Sequence, residues 1–87
     1  MYVFSPHNCV YAPIEEATGQ HPPGDTLLFD LHIPGFGSGD VAKFFVIECA
    51  AADLRLELSD AECEAVATID DLIALLARRE AEPRAAA

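Results

Sequence analysis

The clearest pattern in the chain is a helical stripe near its C-terminal end. Ile69, Leu72, Ile73 and Leu76 fall at i, i+3, i+4 and i+7, which places four apolar side chains on one face of an α-helix. Thr68-Ile69-Asp70-Asp71 opens the stretch with a capping residue. Asp70 and Asp71 stand in the first turn and Arg78 and Arg79 in the last, each sign opposing the nearer end of the helix dipole. The pattern predicts a helix over 69–79. Just upstream, Ser59-Asp60-Ala61-Glu62 is a capping box, and it predicts a very short helix with Cys63 and Val66 on its inner side.

A further helix is predicted over 40–53. Phe44, Ile47, Ala50 or Ala51, and Leu54 recur at helical spacing and define its inward face. Phe44-Phe45-Val46-Ile47 alone reads equally as a strand; the alanine-rich continuation decides for helix. Ser38 or Asp40 supplies the cap. Phe44 and Phe45 do not both fit one narrow stripe, so one is either a partly exposed contact or buried under the preceding loop.

That loop spans 19–39. Pro22-Pro23-Gly24 and Pro34-Gly35-Phe36-Gly37-Ser38-Gly39 both break regular structure, yet Leu27, Leu28, Phe29, Leu31 and Ile33 between them are too apolar to stand in water. A connection longer than ~15 residues packs or carries function. Here it is expected to be pinned to the core through Leu28 and Leu31. Before it, Ser5-Pro6 starts a first helix, Pro13 interrupts or restarts it, Val10, Ile14 and Ala17 share a face, and Thr18-Gly19 stops it. The expectation is therefore a short or kinked helix, then one all-α domain over 1–79 with three to four helices, then a disordered tail over 80–87.

Composition narrows the class. With 87 residues and no Trp, the core is thin and built from Leu, Ile, Val, Phe and Ala. The formal net charge of −10 repels phosphate backbones, and no basic stripe offsets it, which argues against nucleic acid and for basic protein surfaces as partners. Cys9, Cys49 and Cys63 are an odd set without CxxC spacing, as expected of reduced thiols in a cytoplasmic protein. No charged leader precedes an apolar run, and no stretch approaches ~18 apolar residues, so a soluble monomer away from membranes is expected.

The stretch from Leu54 through Ser59-Asp60-Ala61-Glu62 and Thr68-Ile69-Asp70-Asp71 to Leu76 resembles the C-terminal half of acyl carrier proteins. Thr26-Leu27-Leu28-Phe29-Asp30-Leu31 is similar to the segment before that family's modification site, and Val10 to Gln20 is faintly similar to the end of its first helix. The resemblance covers about residues 10–77. It implies a helical bundle with a long loop between helices one and two. It also implies phosphopantetheine on a serine at the start of helix two, acyl or aminoacyl cargo held as thioesters, and work in fatty acid, polyketide or related biosynthesis. Partners would be acyl-transferring or synthase enzymes whose basic patches meet the acidic face of helix two and the following loop. On this chain that face holds Asp40, Glu48 and Asp53, with Lys43 among them and Phe44 and Phe45 as apolar contacts.

At the attachment point the chain departs from the family's Asp-Ser-Leu. It reads Gly37-Ser38-Gly39, and Pro34 to Gly37 look inserted. Placing Ser38 on the modified serine keeps a serine-x-aspartate pattern through Asp40 but sets Glu48 where a core leucine belongs. Counting back from Leu54 without a gap sets Asp40 there instead, with Phe44, Ile47 and Ala50 on the core face, and an aspartate cannot accept phosphopantetheine. Ser38 is thus a candidate attachment point or a plain N-cap, and the chain is a carrier or an unmodified interaction module. Other chemistry is poorly supported. His7, Cys9, His21 and His32 match no zinc spacing, and no nucleophile has an oriented base, so neither a metal nor an enzyme activity is expected. Glu15, Glu16, Glu48, Glu57, Glu62 and Glu64 read as a solvated acidic surface.

Overall fold

Ser5 begins the first helix by accepting the Asn8 N–H at 3.2 Å, and Pro6 follows where a missing N–H costs nothing. In the computed structural model, which describes residues 5–82, this helix, α1, runs Pro6–Thr18. It stops where Gly19 enters the left-handed region at φ 71° and returns its N–H to Glu15 O at 2.8 Å. The interruption expected at Pro13 does not occur. An interior proline costs a helix about 3 kcal/mol in isolation, but Cys9, Val10, Tyr11 and Ile14 are buried on the side that packs against two other helices, and that burial outweighs the lost bond.

The remaining elements are a 3-10 turn at Leu28–Asp30, α2 (Asp40–Asp53), α3 (Asp60–Ala65) and α4 (Ile69–Ala81). Among the described residues no strand forms. Phe44 to Ile47 lie within α2, which settles the ambiguity of that run for helix. α1 packs against both α2 and α4, and α2 also meets the 3-10 turn. Ile14, Leu28, Ile33, Ile47, Ile69, Leu72 and Leu76 are the largest fully buried side chains, so every element but α3 contributes to the centre along with the long loop. Cys63 and Val66 lie inward, as their spacing predicted. On α4, Leu75 is more deeply buried than Ile73, which only flanks the core.

Both predicted capping boxes are present. Ser59 accepts the Glu62 N–H while Glu62 accepts the Ser59 N–H, and Thr68 and Asp71 do the same for α4. At its far end α4 reaches Ala81, past the boundary expected at 79. Arg79 holds this last turn, donating to Glu62 Oε1 at 2.6 Å and pairing through Nε with Glu82 Oε1 at 3.2 Å. Of the tail expected over 80–87, residues 83–87 lie outside the described residues.

The long loop is tied down by backbone as well as by side chains. Leu28 and Leu31 are buried as expected, and Ile33 joins them. Leu28 N donates to Ala67 O at 2.9 Å, while Ile69 N and Asp70 N donate back to Thr26 O and Gly24 O at 3.1 and 2.8 Å. The loop therefore lies along the entry to α4 like a short antiparallel pair. Tyr11 adds a side-chain tether from α1: its hydroxyl donates to Pro22 O at 2.8 Å and its ring stacks on His21 at 3.9 Å. Ile33 and Gly37 close a tight turn through reciprocal bonds, which sets Phe36 outward at its tip.

Candidate functional site

The start of α2 is made by glycine. Gly39 is the N-cap at φ 79°, ψ −143°, a conformation open to glycine, and no side chain bonds the free N–H groups of the first turn. The expected caps are thereby corrected: Ser38 precedes the cap, and Asp40 is the first helical residue with its carboxylate exposed. The reason lies in the loop. Gly39 N–H is drawn to Phe29 O at 2.9 Å, so the chain turns into the helix one residue after the serine. Ser38 is exposed, its hydroxyl 3.4 Å from His32 Nδ1, and it stands between Gly37 and Gly39, both at positive φ.

Along α2 the inward face is shifted from the one predicted. Ala42, Lys43, Val46, Ile47, Ala50 and Ala51 are buried, whereas Phe44 is 45% exposed. Ile47, Ala50 and Leu54 are core, as expected; Phe44 is not. The 3-10 turn explains the shift. It covers the side of α2 that carries Lys43, whose ammonium sits 5.5 Å from the Phe29 ring centroid, a cation–π arrangement that lets a charged residue lie at 7% exposure. Phe45 is half-buried against Phe36 of the tight turn at 5.0 Å, which leaves Phe44 as the exposed member of the pair.

Phe44 stands between two recesses. One, of about 380 Å³, lies between α2 and the α2–α3 connection and is lined by Phe44, Ile47, Ala51, Leu56, Leu58 and Cys63, with Glu48 and Asp60 as its charged members. The other, of about 350 Å³, holds Phe36, Asp40, Val41, Phe44, Phe45 and Glu48. Of the residues expected on the partner face, Asp40, Phe44, Phe45 and Glu48 meet in the second recess, whereas Asp53 lies outside it and Lys43 is buried. Ser38 lines neither recess. Phe36, Val41 and Asp60 were not anticipated, and of the loop after α2, expected only as a stretch, Leu56 and Leu58 line the first recess. Val41, Phe44, Glu48 and Ala52 do recur at helical spacing, so part of this surface was legible as a stripe beside the core stripe.

The first recess owes its shape to the way α2 ends. Arg55 N donates to Ala52 O at 3.1 Å and Leu56 N to Ala51 O at 2.9 Å, the paired bonds of a Schellman stop. The left-handed position is held by Arg55 at φ 56°, where glycine is usual. This stop brings Leu56 back beside Ala51, and the small Ala51 and Ala52 both line the depression. Burial pushes the Cys63 thiol up from its ordinary range, with Asp60 and Glu62 adding to the shift, so the sulfur in the recess is a poor nucleophile.

The histidines fall into two places. His7 and His21 flank Tyr11, and His21 Nδ1 contacts a Glu15 carboxylate oxygen; His32 stays beside Ser38. Among the described residues no three of His, Cys, Asp and Glu gather as a metal-binding group, and no helix is long and apolar enough to cross a membrane. Compared with known protein families, with curated proteins and with solved structures, the chain matches none of them.

Proposed function

We propose that the chain is an acyl-carrier-like interaction module, not an enzyme, which presents the outer face of α2 to a basic protein surface and carries no prosthetic group. The observation behind this reading is the start of α2. Ser38 stands outside the helix between two glycines in left-handed backbone, while the apolar and acidic contact residues cluster beyond it on α2 itself. A transferase of the carrier family reads the helix start and a following leucine together with the hydroxyl, and here it meets Gly39 and Asp40. The net charge of −10 favours encounter with a cationic protein and disfavours nucleic acid.

The test is intact mass after incubation with coenzyme A and a broad-specificity phosphopantetheinyl transferase. No gain in mass is expected. A gain of one phosphopantetheine that Ser38→Ala abolishes would overturn the reading and establish a carrier of acyl or aminoacyl thioesters for acyl-transferring or synthase enzymes of fatty acid, polyketide or related biosynthesis. One observation favours that second reading: the Ser38 hydroxyl is exposed, and the uncapped N–H groups of α2 begin two residues later, where a phosphodiester is electrostatically favoured.

A further inference from the structure

We propose that the recess between α2 and the α2–α3 connection seats a short amphipathic helix of a partner protein, with one apolar stripe and Lys or Arg flanking it. This inference rests on the interaction-module reading and names the partner that reading leaves open.

Three features lead to it. The floor is apolar, made by Ile47, Ala51, Leu56 and Leu58, and Phe44 rises as a half-exposed ridge shared with the neighbouring recess. Burying such a surface against apolar side chains is favourable at roughly 25 cal/mol per Å².

The charge around it has one sign. Glu48 and Asp60 are the ionisable carboxylates at its edge, and residues 40–65 hold seven acids against two bases. Of those bases, Lys43 is turned inward over Phe29 and lines neither recess, so it offsets the acids only in part and meets no occupant directly. A cationic occupant is attracted here, while a second copy of this −10 chain is repelled.

The backbone decides between a helical and an extended occupant. Among the described residues there is no strand, only the isolated bridges Leu27–Thr68 and Ile33–Gly37, and the α2 backbone beside the recess is already paired within its helix. An extended peptide would find no sheet edge to bond, and on the α2 side would bury its own N–H and C=O groups unpaired. A helix brings its backbone already satisfied, and an i, i+3/i+4, i+7 stripe spans about 10 Å, enough to place anchors on both sides of the Phe44 ridge.

The experiment is selection of a displayed library of helix-forming peptides, about 15 residues long, against the whole chain. The enriched pool is expected to show apolar residues at helical spacing with Lys or Arg beside them. Phe44→Ala, which removes an exposed side chain and leaves the core intact, should weaken a selected peptide by about tenfold, and Glu48→Lys should weaken it as well. Enrichment of acidic or aperiodic peptides, no enrichment over the Phe44→Ala protein, or Phe44-dependent self-association in sedimentation would each overturn the proposal. Ser38 takes no part in this binding, so a gain in mass with the transferase would sink the module reading alone, and failed selection would sink the helix seat alone.

Discussion

The second helix and the two that follow it begin by opposite means. α3 and α4 start at side chains: Ser59 and Thr68 each accept an N–H from three residues on, and Glu62 and Asp71 each reach back. α2 starts at backbone: Gly39 takes a conformation reserved for glycine because the loop pulls its N–H onto Phe29 O. A local code of four residues specifies the first kind of boundary. The second depends on where a distant turn has docked. Asp40, Val41 and Phe44, which line the recess with Phe36, stand at the second kind, beside a helix start that no side chain closes.

If the loop is as much a part of the fold as the locally coded helices, emptying its plug should be as damaging as emptying a helix core. Leu28 in the loop and Leu72 on α4 are both fully buried. Leu28→Ala and Leu72→Ala should each cost about 2–5 kcal/mol, read from urea unfolding with unchanged slope. A value near zero for Leu28 would make the loop an ornament and collapse the comparison.

A smaller effect separates the two kinds of helix start. Thr68→Ala and Ser59→Ala each remove a cap and should each cost about 1 kcal/mol. Ser38→Ala removes no cap and should fall within about 0.5 kcal/mol of the parent. A loss at Ser38 as large as at Thr68 would show that the serine closes α2 after all.

The smallest effect is one of acidity. Glu62 accepts the Ser59 N–H and pairs with Arg79, and Asp71 accepts the Thr68 and Ala67 N–H groups, which holds both carboxyls below the ordinary carboxylate range. A carboxyl lowered in the folded state stabilises the fold above its unfolded value, and that support is lost as pH falls through the folded one. Stability should therefore be level near neutrality and decline below the ordinary carboxylate range. The decline should be shallower in the Glu62→Gln, Asp71→Asn double variant. An equal acid slope in that variant would move the titration to other groups.

Much of the helical plan could be read from residues alone. The stripe of Ile69, Leu72 and Leu76, the two capping boxes and the stop at Gly19 need only neighbours within a turn or two to act. The loop's apolar residues also announced that it must pack, and Leu28 and Leu31 do. Three features were settled elsewhere. α1 continues through Pro13 because its buried face meets α2 and α4. The inward face of α2 turns away from Phe44 because Phe29 of the loop covers Lys43 and Phe36 meets Phe45. The helix begins at Gly39 instead of Ser38 because a carbonyl ten residues earlier claims its N–H. Periodicity states that a helix has an inner face, and short-range caps state where it starts when a side chain does the capping. Which apolar residues turn inward, and where a glycine-led helix begins, depend on contacts between segments far apart in the chain, and only the folded arrangement supplies them.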